Sequence, residues 1–304
     1  MGDITVIGSI NMDLVTNVEN MPKVGETVIG SDFKEIPGGK GANQAVAIAR
    51  LGGKVNMIGK IGDDGFGKTL LSALKKDKIN TDGLKIEENT PTGVAMITVN
   101  GEGDNAIVVI PGANFKVCKE DIENNIEVIE KSKMVVFQLE IPLETVKYGL
   151  QRAKELEKYT VLNPAPAKSL DEEMIKNIDL LIPNETELEI LTQIEIKEEE
   201  DFLHASKKLI EKGVKSLIIT MGEKGSLYID KKCVKKFQAK KVNAVDTTAA
   251  GDSFIGGVVT YLAEGKEIDE AIVFASKVGA LTVTKKGAQS SLPYLEEVGA
   301  FEEE

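Results

Sequence analysis

The segment Val245-Asp246-Thr247-Thr248-Ala249-Ala250-Gly251-Asp252-Ser253-Phe254 sets a carboxylate just past a run of small residues that leads into a helix. Backbone N–H groups from Ala249 to Asp252 would emerge together at that helix N-terminus. They would form an anion hole made of amides and not of side-chain charge. Asp252 at its mouth can accept a proton from a hydroxyl that attacks a phosphoryl group, a reaction governed mainly by positioning and electrostatics. Read by itself, an Asp at a helix start is only a cap. A second stretch, PGGKGANQ at 37–44, lets backbone approach a ligand at Gly38 and Gly39, which carry no Cβ. Lys40 and Asn43 would add donors at a helix start, although the same stretch also reads as a tight turn. Asn11 and Asp13 stand two apart in an extended segment and so share a face. An amide and a carboxylate so placed can hold neighbouring hydroxyls of a polyol, or form an Asx turn.

One motif suggests different chemistry. Gly62-Asp63-Asp64-Gly65-Phe66-Gly67-Lys68-Thr69 fits G-x-x-x-x-G-K-[ST], follows a strand and opens a helix. Asp63 and Asp64 inside the loop would repel a triphosphate, and no hydrophobic strand ending in Asp is ready to hold Mg²⁺ opposite it. The expected reading is a strand-to-helix turn whose acidic residues complement the helix dipole.

These residues must be positioned by a regular frame. Apolar strands are expected at Thr5–Gly8, Val55–Ile61, Met134–Leu139, Val161–Leu162, Leu180–Ile182 and Ser216–Thr220. Helical patterns follow at Gly41–Leu51, Phe66–Leu74 and Leu143–Glu157, and two long helices, about Ala250–Ala263 and Glu267–Thr284, lie near the C-terminus. That alternation predicts an α/β fold with a mostly parallel sheet covered on both faces. Residues 14–36 and 92–110 alternate in period two instead, with a turn at Asn100–Asp104, and are expected to form antiparallel strands of a small lid. The acidic runs at Lys197–Asp201 and the C-terminal FEEE read as solvated faces.

Composition excludes other chemistry. The 304 residues carry 37 Lys and Arg against 49 Asp and Glu, a formal charge of −12, which argues against nucleic acid or an anionic membrane as partner. The single His204 removes any two-histidine mechanism, and Cys118 and Cys233 are too few for a Cys-based zinc site. No stretch nears the roughly 18 apolar residues of a membrane helix, and MGDITVIGSI lacks a basic leader, so a cytoplasmic location is expected.

Five motifs together carry a family resemblance: VIGSINMD (6–13), PGGKGANQAVAIARLG (37–52), IGDDGFG (61–67), PNETE (183–187) and DTTAAGDSFIGG (246–257), with KGAQSSLP (286–293) in support. On these the chain resembles the PfkB carbohydrate kinase family over nearly its whole length. The resemblance implies a three-layer α/β/α fold with a doubly wound sheet (1–13, 37–91 and 111–304) and a small β lid (14–36 and 92–110). It implies transfer of a phosphoryl group from ATP to O5 of D-ribose, with another sugar or nucleoside (deoxyribose, fructose, adenosine) as the alternative acceptor. By resemblance Asn11, Asp13, Gly39, Lys40, Asn43 and Glu140 surround the sugar, Asp252 is the base, and Ala249, Ala250 and Gly251 complete the anion hole. Asn184 and Glu187 would lie near the ATP phosphates and Mg²⁺. Thr220, Gly222 and Gly225 would form a nucleotide-binding turn, with Ser276 near adenine. A K⁺ ion would be held by Asp246, Thr248, Thr282, Lys285, Gly287 and Ser291, mostly through carbonyls. The lid would also form a homodimer contact. Ser253 stands where the family often has Thr, and nothing diagnostic marks the adenine pocket around Ser276-Lys277.

Overall fold

The computed structural model describes residues 3–301. Nine strands form the main sheet: β1 (Ile4–Ile7), β4 (Val55–Gly62), β5 (Leu84–Glu87), β8 (Met134–Phe137), β9 (Tyr159–Leu162), β10 (Leu180–Leu181), β11 (Ser216–Thr220), β12 (Ser226–Asp230) and β13 (Val234–Phe237). Their order is β13-β12-β11-β10-β9-β8-β1-β4-β5. From β5 through β11 every neighbouring pair is parallel, and β12 and β13 add an antiparallel edge.

Why these segments are strands is plain at β8. Met134, Val135, Val136 and Phe137 are all buried, as a central parallel strand with both faces covered requires. Met134 and Val136 join one hydrophobic cluster, while Val135 and Phe137 join the other. The first cluster is closed by helices α1 (Lys40–Arg50), α2 (Gly65–Lys76), α9 (Ala250–Ala263) and α10 (Ile268–Val283). The second is closed by α3 (Lys119–Glu123), α4 (Ile126–Lys131), α5 (Leu143–Glu155), α6 (Glu172–Lys176), α7 (Glu185–Thr192) and α8 (Glu199–Lys212). A short α11 (Leu295–Gly299) packs on α10. Gly256 and Gly257 of α9 allow this packing. A Cβ at Gly256 would lie 2.5 Å from that of Ala47 in α1, and one at Gly257 would lie 2.9 Å from the Ala275 Cα in α10.

A separate four-stranded sheet contains β2 (Asn11–Asn17), β3 (Asp32–Gly38), β6 (Gly93–Val99) and β7 (Asn105–Ile110), in the order β3-β2-β6-β7. Two sequence expectations change here. The central pair β2–β6 is parallel, not antiparallel, and residues 18–31 form a connection without strand structure. The second sheet also begins earlier than residue 14, since Asn11 and Asp13 are already paired in it, to Gly38 and Ile36. Strand β5 and the antiparallel strands β12 and β13 lie outside the strands expected from the sequence.

Candidate active site

The carboxyl ends of the parallel strands meet the start of α9, the usual ligand edge of an open α/β sheet. A cavity of about 200 Å³ opens there, lined by Lys40, Asn163, Asn184, Glu187, Thr220, Thr247 and the turn Ala249–Asp252.

Asp252 lies in the first turn of α9 and is 7% exposed. Asn43 Nδ2 donates to its Oδ2 at 3.0 Å, and Gln44 Nε2 donates to its Oδ1 at 2.9 Å. Burial pushes the carboxyl above its ordinary value, and the Lys40 ammonium and these two amides pull it back.

The helix start itself differs from its neighbours. Asp64, Asp171 and Asn184 cap α2, α6 and α7 with their own side chains. The cap of α9 is Ala249, left-handed at φ 59° and offering no side-chain acceptor. An alanine in that region is strained by about 1–2 kcal/mol, a cost that tends to collect at functional turns. Of the four amides expected to form the hole, that of Ala250 is engaged: it donates to the Thr247 carbonyl at 3.2 Å and closes the turn. Gly251 and Asp252 supply first-turn donors, and a Cβ built on Gly251 meets nothing within 4 Å.

The residues expected at the sugar gather around Asp252 from three chain segments. Glu140, three residues beyond β8, accepts from the Ser9 hydroxyl at 2.5 Å and from the Lys40 amide at 3.1 Å. Gly39 takes φ 88°, and a Cβ there would come within 2.6 Å of the Asn11 amide nitrogen. Asn11 is held by Asn114, whose Nδ2 donates to its Oδ1 at 2.7 Å. Asp13 is pushed up to about 7, by burial first and then by the charges of Glu140 and Asp252, with Lys40 opposing. Burial works against the Lys40 ammonium, yet Asp252, Glu140, Glu187 and Asp13 hold it above its usual range. Asn43 Oδ1 is buried without a protein partner, an acceptor to which a hydroxyl could donate.

On the other side of the cavity, Asn184 caps α7 and accepts from the Glu187 amide, while Glu187 Oε2 accepts from the Asn184 amide at 2.9 Å. Burial raises Glu187, against the Asn184 amide and Lys40. Thr220 lines the cavity and pairs with Asn184, whereas Gly222 and Gly225 shape the next turn at φ 54° and 93°. Ser276 is not brought to the cavity: it sits in mid α10, its hydroxyl donating to the Ile272 carbonyl.

Of the proposed cation residues, Asp246, Thr248 and Gly287 are joined by hydrogen bonds just before α9. Asp246 Oδ1 accepts from the amide and hydroxyl of Thr248, and its Oδ2 accepts from the Gly287 amide at 2.8 Å. Burial would raise this carboxyl, but those donors and Lys286 hold it below its ordinary value. Thr282 and Lys285 flank the end of α10, and Ser291 is buried in the following loop. Carboxylate and carbonyl oxygens suit a weakly held hard cation. For Mg²⁺ the fit is a single carboxylate, Glu187, on the cavity wall, in keeping with an ion bound chiefly through phosphates and water. Among the described residues no group of three or more His, Cys, Asp or Glu is arranged to hold a metal.

The phosphate-loop look-alike is filled by its own carboxylate. Asp64 Oδ1 accepts from the Gly67 amide at 2.8 Å and from the Thr92 hydroxyl at 2.6 Å, and its Oδ2 accepts from the Thr92 amide. This loop anchors the foot of β6, and Lys68 is exposed.

The pfkB family carbohydrate kinase model matches residues 1–295. The chain belongs to that family. Over 298 residues, 98% of this chain and 97% of the other, it is 43% identical to a ribokinase of Haemophilus influenzae. It is 42% identical to a deoxyribokinase of Salmonella typhi over 300 residues, 98% of both chains. The structure of Arabidopsis thaliana ribokinase complexed with ribose and ATP superposes with a TM-score of 0.92 at 30% identity, covering 98% of each chain. The protein is accordingly a sugar kinase that transfers a phosphoryl group to an alcohol. Ser9, Gln44, Asn114, Gln138, Asn163 and Thr247 were missed as site residues. Of these Ser9, Gln44 and Thr247 lie inside the motifs, whereas Asn114, Gln138 and Asn163 lie outside them and join the site through partners remote in sequence.

Proposed function

We propose that this carbohydrate kinase phosphorylates D-ribose at O5 with ATP, giving D-ribose 5-phosphate and ADP. The observation that carries the chemistry is the buried Asp252 carboxylate, held by Asn43 and Gln44 on the same turn that offers unpaired amides to the cavity. Asp252 takes the O5 proton as the oxygen attacks the γ-phosphorus, and the bond from that phosphorus to the β,γ-bridging oxygen breaks in line. The Gly251 and Asp252 amides stabilise charge on the transferring group. Asn11, Asp13, Lys40, Asn43 and Glu140 orient the sugar, and Asn184, Glu187 and Thr220 border the phosphates. Glu187 would hold Mg²⁺, which would supply positive charge to the phosphates, and the 246–248 and 282–291 oxygens would hold K⁺, which would steady the anion-hole turn. The reading includes a cytoplasmic setting, where ATP is available, and a homodimer formed through the second sheet. Among the described residues no helix is long and apolar enough to cross a membrane.

The near-equal identity to a deoxyribokinase favours one alternative, 2-deoxyribose as acceptor. A sugar panel scored by ADP release, with and without K⁺, tests the reading. Ribose should give the highest kcat/KM, and a higher value for 2-deoxyribose would overturn it. Asp252→Asn should lower kcat by more than tenfold, a loss above about 1.4 kcal/mol of barrier, whereas Lys68→Ala should leave turnover unchanged. Retention of activity in the first variant, or its loss in the second, would move the chemistry away from α9.

A further inference from the structure

The mechanism above leaves one buried cluster without a role. Gln44 and Gln138 are fully buried, and Asn163 is nearly so. Gln44 Nε2 donates to Asp252 Oδ1 at 2.9 Å and to Asn163 Oδ1 at 3.2 Å, while Gln44 Oε1 accepts from Gln138 Nε2 at 2.6 Å. Asn163 Nδ2 donates in turn to the Ile182 carbonyl at 3.1 Å. A carboxylate and a backbone carbonyl can only accept, so both ends of this chain dictate its direction. The Gln44 amide therefore has one orientation in which every contact is made. Space for Gln138 is provided by Gly8, where a Cβ would fall 1.9 Å from Gln138 Oε1. That Oε1 has no partner of its own, so the side chain is retained at a cost, in a place where an apolar residue would pack more cheaply.

We propose that Gln44, locked by Gln138 and Asn163, is a positioning residue that fixes the plane of the Asp252 carboxylate and turns its remaining lone pairs toward the acceptor hydroxyl. Because Asn163 also lines the cavity and is bonded to the residue after β10, the same amide ties the base to the nucleotide-side wall. The proposal rests on Asp252 being the base.

The groups that face Asp252 are Lys40 of α1, Asp13 of β2, Glu140 beyond β8 and Glu187 of α7. Lys40 favours the ionised carboxyl, and the three carboxylates oppose it. Removing the Gln44 donor leaves Lys40 and Asn43 alone against burial and those carboxylates, so Asp252 holds its proton to higher pH.

The test is the pH profile of kcat/KM between pH 5 and 9 for Gln44→Met, Gln138→Met, the double variant and Asp252→Asn, with Tm for each. In Gln44→Met the acidic limb should move up by about one pH unit, so that activity relative to wild type falls by up to roughly tenfold on that limb and stays level on the plateau above it. Gln138→Met should move the limb less, in the same direction, and should add nothing in the double variant, because it acts through Gln44. A uniform loss at every pH with a lowered Tm would reduce the cluster to packing and overturn the proposal. So would a Gln138→Met effect that persists in the double variant. If Gln44→Met does not fold, Gln138→Met decides: a limb unmoved in a folded protein overturns the proposal, and an upward shift supports it. Near wild-type activity in Asp252→Asn would remove the base assignment, and the role of Gln44 with it. An inactive Asp252→Asn beside an unmoved Gln44→Met limb would remove only the role of Gln44.

Discussion

Asp13 shows how a single residue here is set by its neighbours. Its carboxyl faces Gly38 across the β2–β3 ladder, where a Cβ would come within 2.2 Å of Oδ2. Glu140 and Asp252 add negative charge, and burial removes water. The folded carboxyl titrates at about 7 against 3.8 in the unfolded chain, so the sugar-free fold binds this proton more tightly than the unfolded chain does. Its contribution is fully present below the unfolded value and is lost as pH rises through about 7. Each pH unit in that window is worth roughly 1.4 kcal/mol. Asp13→Asn, which cannot ionise, should gain stability relative to wild type as pH goes from 5 to 8, by something on the order of 2–4 kcal/mol without sugar. Denaturant midpoints at both pH values check this, and a difference that does not change with pH would contradict it. Residues of this kind were visible in the sequence where a short motif held both partners, as with Asn11 and Asp13. Ser9 was not, because its partner Glu140 lies 131 positions away, and Asn114 stands 103 positions from Asn11.

At the scale of elements, α1 connects two regions. Its N-terminus carries Lys40 and Asn43 to Asp252 and the cavity, and its last turn carries Arg50. Arg50 grips Asp77 with Nε and Nη2 at 3.0 and 3.2 Å, and its Nη1 donates to the carbonyls of Gln289 and Leu292 at 2.5 and 3.0 Å. The guanidinium also lies 5.0 Å from the centre of the Tyr294 ring. One side chain thus pins the 287–292 loop, the proposed cation wall, to the helix that bears the proposed sugar loop. A lysine keeps the charge and loses the planar fork. Arg50→Lys should therefore lower Tm by a few degrees and raise the K⁺ concentration for half-activation several-fold, with little change in turnover at saturating K⁺. A K⁺ titration matching wild type would sever that link. Helix α9 could be read directly, Ala250 to Ala263, because a small-residue entry and an apolar run coincide. Strand β13, with sequence VKKF, could not. It is mostly exposed, and its lysines suit an edge that must not pair with another sheet, so it lacks the alternation that marks a half-buried strand.

For the whole molecule, the second sheet presents apolar side chains to solvent. Its strand β7 has an unpaired edge and is exposed along all six residues, among them Ile107 at 53% and Val108 at 62%. By the β6–β7 register, Ile107 pairs with Ile97 and Val108 with Met96, so apolar groups stand on both faces. Phe33 on β3, at the opposite side of this sheet, is 59% exposed. Exposed apolar side chains gathered on one small sheet mark a contact surface, and a second copy of the chain is the occupant we propose. Each copy carries a charge of −12, so association has to overcome mutual repulsion. Salt screens that repulsion over a Debye length of roughly 8–10 Å and leaves apolar burial largely intact, so the dimer should tighten between low and moderate ionic strength. Sedimentation of the wild-type protein should give a dimer that strengthens with salt. The double variant Ile107→Lys/Val108→Lys, charged on both faces of the strand, should sediment as a monomer. Because β2 carries Asp13 in the same sheet, loss of the partner should also loosen that sheet over the sugar and raise KM for the sugar more than it lowers kcat. A wild-type monomer, or a variant that stays dimeric, would place the contact elsewhere and leave the sheet to act as a lid within one chain.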